Sequence, residues 1–161
     1  MGFIRLCLLA CIFSLMIGSL CSCSQQEDKP IPVAGDDAEM KTAIQKARAG
    51  LPEFWKTSEN PKKGEKDFCL KVKIIDGNGT EQIWVTSIKR REGKIFGKIG
   101  NDPRVVRSVK FGQEVEIPEE KISDWLFIRN GKMVGNYTLR AVFKYMPKDE
   151  AERMKARMED P

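Results

Sequence analysis

Histidine is missing altogether from the 161 residues. Its absence removes the commonest general base near neutral pH and a common metal ligand. Paired cysteines are missing too. Cys7, Cys11, Cys21 and Cys23 crowd the N-terminus, and only Cys69 lies in the body of the chain. One thiol closes no internal bridge, so the body must hold together through its core. No apolar run reaches the roughly 20 residues that a spanning helix needs. No internal repeat is visible, and no run of residues concentrates positive charge. The net charge of +5 is a small surplus among 28 Lys and Arg against 23 Asp and Glu. Such a balance points to solubility and away from nucleic acid.

What the N-terminus does contain is specific. Arg5 stands near the terminal amine, Leu6 to Leu20 is almost unbroken apolar sequence, and Leu20-Cys21-Ser22-Cys23 follows. A basic start, a short apolar run and small residues read as a secretion signal. Leu at −3, Ser at −1 and Cys at +1 resemble the lipobox of bacterial lipoproteins, which implies acylation of Cys23 as the first mature residue. Ser24 at +2 is not the aspartate that marks retention in the inner membrane. The expected location is therefore the cell envelope, on the outer membrane facing the periplasm. Residues 1–22 read as signal peptide and 23–35, with Pro30 and Pro32, as a flexible tether.

The remainder reads as an α+β domain over 36–146, with 147–161 as a charged C-terminal helix or tail. Asp36 or Asp37 is placed to cap a helix from Ala38 to Ala49, with Met40, Ile44, Ala47 and Leu51 as its apolar stripe. Gly50 and Pro52 are expected to end it, leaving Phe54 and Trp55 just beyond. Phe68 to Ile75 alternates apolar and polar residues as a half-buried strand does. A turn at Asp76 to Gly79 leads into Gln82 to Ile88, with Trp84, Thr86 and Ile88 read on one face and Ile83 and Val85 on the other. Lys94 to Ile99 completes a meander. Gln113 to Ile117 and Ser123 to Arg129 are further strands, and Asn130-Gly131 is a tight hairpin turn into Lys132 to Val134. Leu139, Val142, Phe143 and Met146 fall at helical spacing, with Thr138 as cap, although a last strand is also compatible. The expected fold is an antiparallel sheet of five or six strands, flanked by an N-terminal helix and C-terminal helices.

Chemistry is sparse. Cys69 sits mid-strand between Phe68 and Leu70 with no histidine in the chain to pair with it, which describes a small residue on a strand face. Asp76 to Glu81 glances at a calcium loop, but Glu81 stands where the invariant glycine belongs. Glu114, Glu116, Glu119, Glu120 and Asp124 form an acidic stretch that reads as a solvated face. The set of most interest is Trp84, Asp124, Trp125, Tyr137 and Arg140. Trp and Arg are enriched where proteins bind. The structural alternative has Trp125 closing the core, Asp124 accepting backbone donors and Arg140 covering it. Folding the Asn130-Gly131 hairpin back is expected to pair Asp124 with Arg140 beside Trp125.

Phe54-Trp55, Ile83-Trp84-Val85, Gly97 with Asn101 and Pro103, Gly112-x-x-Val115, Ile122-x-Asp124-Trp125 and Gly135-x-Tyr137-Thr138-x-Arg140 occur in an order that resembles the YegJ-like domain. That is a bacterial domain of unknown function found in small proteins and lipoproteins. The resemblance covers about Asp36 to Phe143 and implies no activity, cofactor or catalytic residue.

Neither a catalytic residue nor a metal or cofactor is assigned from the sequence. The expected role is a membrane-tethered, non-catalytic module that binds an unknown protein or small ligand. An immunity or inhibitor protein directed at an envelope-acting toxin or enzyme is the alternative, with a hydrolase using acidic residues behind both. The lipobox makes a direct prediction. Mass spectrometry of the membrane fraction should find the parent acylated at Cys23, and Cys23→Ser should remove both the acyl mass and the processing to mature size.

Overall fold

The computed structural model describes residues 37–159. The expected signal peptide, Cys23 and the expected tether lie outside the described residues. No helix among the described residues is long and apolar enough to cross a membrane. Asp37 is the cap of the first helix, α1 (Ala38–Ala49), and its carboxylate accepts from the amides of Glu39 at 2.8 Å and Met40 at 3.0 Å. The residues α1 turns inward are Ala43 and Ala47, small enough to bring its backbone close to the sheet.

Gly50 and Pro52 do not leave Phe54 and Trp55 in a loop. The chain restarts at once as α2 (Leu51–Glu59), with Phe54 and Trp55 buried inside it. Proline near a helix start lacks only an N–H that would have had no partner, so the same residue stops one helix or begins another. Gly50 serves both ends, and a Cβ there would lie 2.8 Å from the Trp125 indole.

Six antiparallel strands follow: β1 (Glu65–Asp76), β2 (Gly79–Arg91), β3 (Lys94–Ile99), β4 (Glu114–Ile117), β5 (Ile122–Arg129) and β6 (Lys132–Gly135), in spatial order β4-β3-β2-β1-β5-β6. The fold is α+β, with α1 and α2 ahead of the sheet and α3 (Tyr137–Val142) and α4 (Lys148–Ala156) after it. One face of the sheet carries the core, where Leu70 is opposed by Val85 on one side and Trp125 on the other. Two departures from simple alternation matter. Ser87 adopts φ +51° and the β2–β3 register shifts between Thr86 and Lys89. This bulge reverses the phase, so Ile88 packs against the core instead of lying with Trp84 and Thr86. A second register shift, between Lys71 and Val72, falls where Ser123 and Asp124 enter β5. Asn130 and Gly131, at φ +50° and +82°, form the left-handed pair that a two-residue hairpin requires.

Thr138 does not cap α3. Asn136, at φ +51°, occupies the cap position, but its side chain makes no capping bond and donates instead to the Met133 sulfur at 3.1 Å. After α4, which Pro147 precedes, residues 157–159 are bonded to β6. The Met133 amide donates to the Arg157 carbonyl and the Glu159 amide to the Met133 carbonyl, each at 2.8 Å, with Met158 buried between them. Arg129 adds ion pairs to Glu65 at 2.9 Å and Glu159 at 3.1 Å.

The connection between β3 and β4 folds over the core, with Val106 buried and Val109 half-buried. Carboxylates of the β1–β2 hairpin hold it in shape. Glu81 accepts from the amides of Arg104, Val105 and Val106, and Asp76 from those of Arg107 and Ser108. Burial raises the Glu81 pKa, but the three N–H donors and the Arg104 charge outweigh it and hold the group below its ordinary 4.5. Because the folded value lies below the unfolded one, this stabilisation is complete above pH 4.5 and fades as pH falls through the lowered value. Amides 104–106 should therefore lose protection from hydrogen exchange on acidification, after correction for intrinsic rates. In Glu81→Gln that protection should already be weaker at pH 7.

Candidate functional site

The candidate residues gather around a carboxylate. Asp124 is fully buried at the start of β5, beside the register shift, and four donors converge on its carboxylate. Its Oδ1 accepts from the Trp125 amide at 2.8 Å and the Tyr137 amide at 3.1 Å. Its Oδ2 accepts from the Thr138 amide at 2.7 Å and the Thr138 hydroxyl at 2.6 Å. The first amides of α3 have no partners within their own helix. A carboxylate from the sheet fills that need, and its charge suits the positive helix start. Asp124 is thus the cap that Thr138 was expected to be, supplied from thirteen residues upstream of Tyr137.

Lys71 extends the chain of contacts. It is opposed to both Trp84 and Asp124 in the strand register. Its ammonium donates to the Thr138 hydroxyl at 3.0 Å and stands 4.8 Å above the centre of the Trp84 ring. Trp84, Lys71, Thr138 and Asp124 therefore form one connected row across β2, β1 and β5 to the start of α3.

Trp125 points into the core on the other face. Its indole N–H donates to the Ala47 carbonyl at 2.7 Å, and its ring packs against Phe54, Phe127 and Tyr137. Gly135, at φ +81°, is required here, since a Cβ would meet the Trp125 carbonyl at 2.5 Å and ring carbons at 2.6 and 2.7 Å. Arg140 joins the group through backbone. Its guanidinium donates to the Glu159 carbonyl at 2.6 Å and the Gly135 carbonyl at 3.4 Å. The expected Asp124–Arg140 pair is not formed, because amides of fixed geometry already fill the carboxylate.

On the outside of this cluster α1 and α3 leave a shallow groove of about 350 Å³. Ala38, Glu39, Thr42, Ala43 and Lys46 line it from α1, and Tyr137, Arg140 and Ala141 from α3. Its walls are mainly apolar. Elsewhere, the acidic stretch does not assemble: Glu114 pairs with Arg91 at 2.8 Å and Glu116 with Lys94 at 3.0 Å, while Asp124 is buried apart. Burial and the neighbouring Asp67 carboxylate push the Cys69 thiol up to about 11, the opposite direction from an activated nucleophile. Among the described residues no three His, Cys, Asp or Glu side chains are grouped to hold a metal ion.

The family profile described as an uncharacterized protein conserved in bacteria, DUF2314, matches residues 37–158. The chain belongs to this family. It is 33% identical over 147 residues to the uncharacterized protein YegJ of Escherichia coli K12, covering 91% of this chain and 95% of that one. It is also 29% identical over 122 residues to a putative ankyrin repeat protein of Neisseria meningitidis serogroup B, covering 71% of this chain and 48% of that protein. No solved structure matches.

The DUF2314 match runs through Met158, so it takes in α4 and the segment that bonds to β6. Two parts of the cluster were hidden in the sequence. Lys71 sits more than fifty residues from Asp124, and only the strand pairing brings them together. Thr138 was visible as a residue that bonds helix-start amides, but the direction was reversed: it is held by a carboxylate instead of holding the helix.

Removing either anchor should cost stability in a predictable order. Trp125→Ala should destabilise by about 3–5 kcal/mol in urea unfolding, since it empties a buried aromatic site. Thr138→Val keeps the shape and removes one hydroxyl, so about 1–3 kcal/mol is expected from the bonds left unmade. Arg140→Ala should cost less than the tryptophan, because it removes two part-buried bonds to carbonyls and empties no core site.

Proposed function

We propose that this chain is a membrane-anchored lipoprotein of the cell envelope, and that its domain is a non-catalytic binding module. The α1–α3 groove is the observation that carries this reading. Its apolar walls include Tyr137, and three charged side chains stand at it: Lys46, Arg140 and Glu39, the last paired with Lys144 at 2.9 Å. An apolar trough with a few placed polar groups is the usual form of a recognition site. The surrounding chemistry supports binding over turnover. Asp124 is closed off by four donors, and Cys69 is held as a thiol. The lipobox at Cys23 and the proline-bearing tether supply the anchoring part of the proposal.

Filling the groove tests the reading. Thr42 is exposed on α1, so Thr42→Trp should block the trough while leaving stability within about 0.5 kcal/mol of the parent. Envelope components cross-linked by the parent, and lost from the variant at unchanged melting temperature, are the expected result. Identical capture by both would remove the groove from consideration.

A further inference from the structure

The sheet forks in its middle. Pairing between β1 and β2 starts at the turn, with Asp76 opposite Gly79, and ends where Leu70 faces Val85. Both strands run on past that point, β1 back to Glu65 and β2 forward to Arg91. Each arm keeps its outer neighbour. Glu65 and Lys66 pair with Arg129 and Ile128 on β5, and Lys89, Arg90 and Arg91 with Phe96, Ile95 and Lys94 on β3. The arms are bent at matching places. Asp67 and Ser87 take φ +58° and +51°, and each outer ladder shifts register across them. Among the described residues the other non-glycine residues at positive φ are Glu92, Asn130 and Asn136, in two turns and at the α3 cap. A bulge within a strand bends it, and backbone strain of this kind gathers at ligand sites.

A cavity of about 720 Å³ opens at the fork. Trp55 and Glu59 line it from α2, Phe68 and Cys69 from β1, and Ser87 and Ile88 from β2. Trp55 is only 8% exposed, and its indole N–H has no acceptor among the described residues. The Asp67 carbonyl accepts from the Cys69 thiol at 3.4 Å, a weak donor. Charges around the cavity pair off, Arg90 with Glu59 at 3.6 Å and Asp67 with Lys66 at 3.7 Å. We infer that the fork accepts an extended, uncharged peptide segment of a partner protein, which adds as a strand along the freed edges. A strand edge without a neighbour presents N–H and C=O groups at regular spacing, and an extended backbone is the chemistry that matches them. Phe68, Ile88 and the Trp55 ring supply an apolar wall for one of its side chains, and the indole N–H a donor for one carbonyl. Because the lining charges pair with one another, backbone and shape select the segment. The site shares no residue with the α1–α3 groove and does not depend on it.

The test uses the full chain in detergent micelles. Random heptapeptides displayed on phage and selected on the parent supply the probes, which are then made synthetically. Hydrogen exchange of the parent should show the probe peptide protecting segments 67–69 and 86–88. Glu59 is exposed at the rim, and Glu59→Trp fills the mouth while giving up only a surface ion pair. It should melt like the parent and bind the peptide about tenfold more weakly. Thr42→Trp should bind the peptide as the parent does. Copies of the peptide N-methylated at odd or at even positions lose the donors of one edge, and at least one of them should bind about tenfold more weakly. If no selected peptide protects either arm, or both methylated copies keep full affinity, the proposal is overturned. A peptide released by Thr42→Trp and retained by Glu59→Trp belongs to the groove and also overturns it. Envelope cross-links lost from Thr42→Trp judge the groove separately, so the two readings fail independently.

Discussion

A single buried carboxylate decides how the helical layer meets the sheet. Asp124 cannot be solvated where it stands, and a buried charge is tolerated only with donors aimed at it. The amides at the start of α3 are the donors, so the helix has to begin where it does. That position in turn requires the left-handed turn at Gly135 and Asn136, and it sets Tyr137 edge-on to Trp125. From Trp125 the constraint passes to α1, through the Ala47 carbonyl, and to the contact at Gly50 where α1 gives way to α2. One charge thereby specifies the arrangement of three helices.

The same device recurs across the domain. Asp37 caps α1, Glu65 accepts from the Lys62 amide, and Asp76 with Glu81 gathers the 104–108 loop. These carboxylates serve as receptors for backbone N–H groups, and two of them hold a cation as well: Glu65 pairs with Arg129 and Asp37 with Lys144.

The strands were legible because the core lies on one face, and alternation with a period of two registers that directly. Asn130-Gly131 was legible because its backbone demand is rare and those residues meet it. Other features had no local signature. Ser87 takes a left-handed conformation that serine does not advertise, so the face of Ile88 was misread. Gly50-Leu51-Pro52 is equally good as an ending and as a beginning, which hid α2. The expected Asp124–Arg140 attraction followed charge alone. It failed because three amides and a hydroxyl compete for the same carboxylate, and their geometry is set by the backbone. Arg140 is long enough to find carbonyls elsewhere. The groove was not legible at all, since it exists only once α1 and α3 lie side by side.

The bonding of Met133 to the residues on either side of Met158 has a further consequence. An open antiparallel sheet has two rims, and an unpaired rim is a template on which a neighbouring molecule can add its own strand. On one rim Arg157 to Glu159 bond to Met133 and occupy part of that template. The other rim is β4, only four residues long, with glutamates at alternate positions. Molecules held side by side on one surface would meet at high local density, and neither rim offers them a long, flat, uncharged strand to polymerise on.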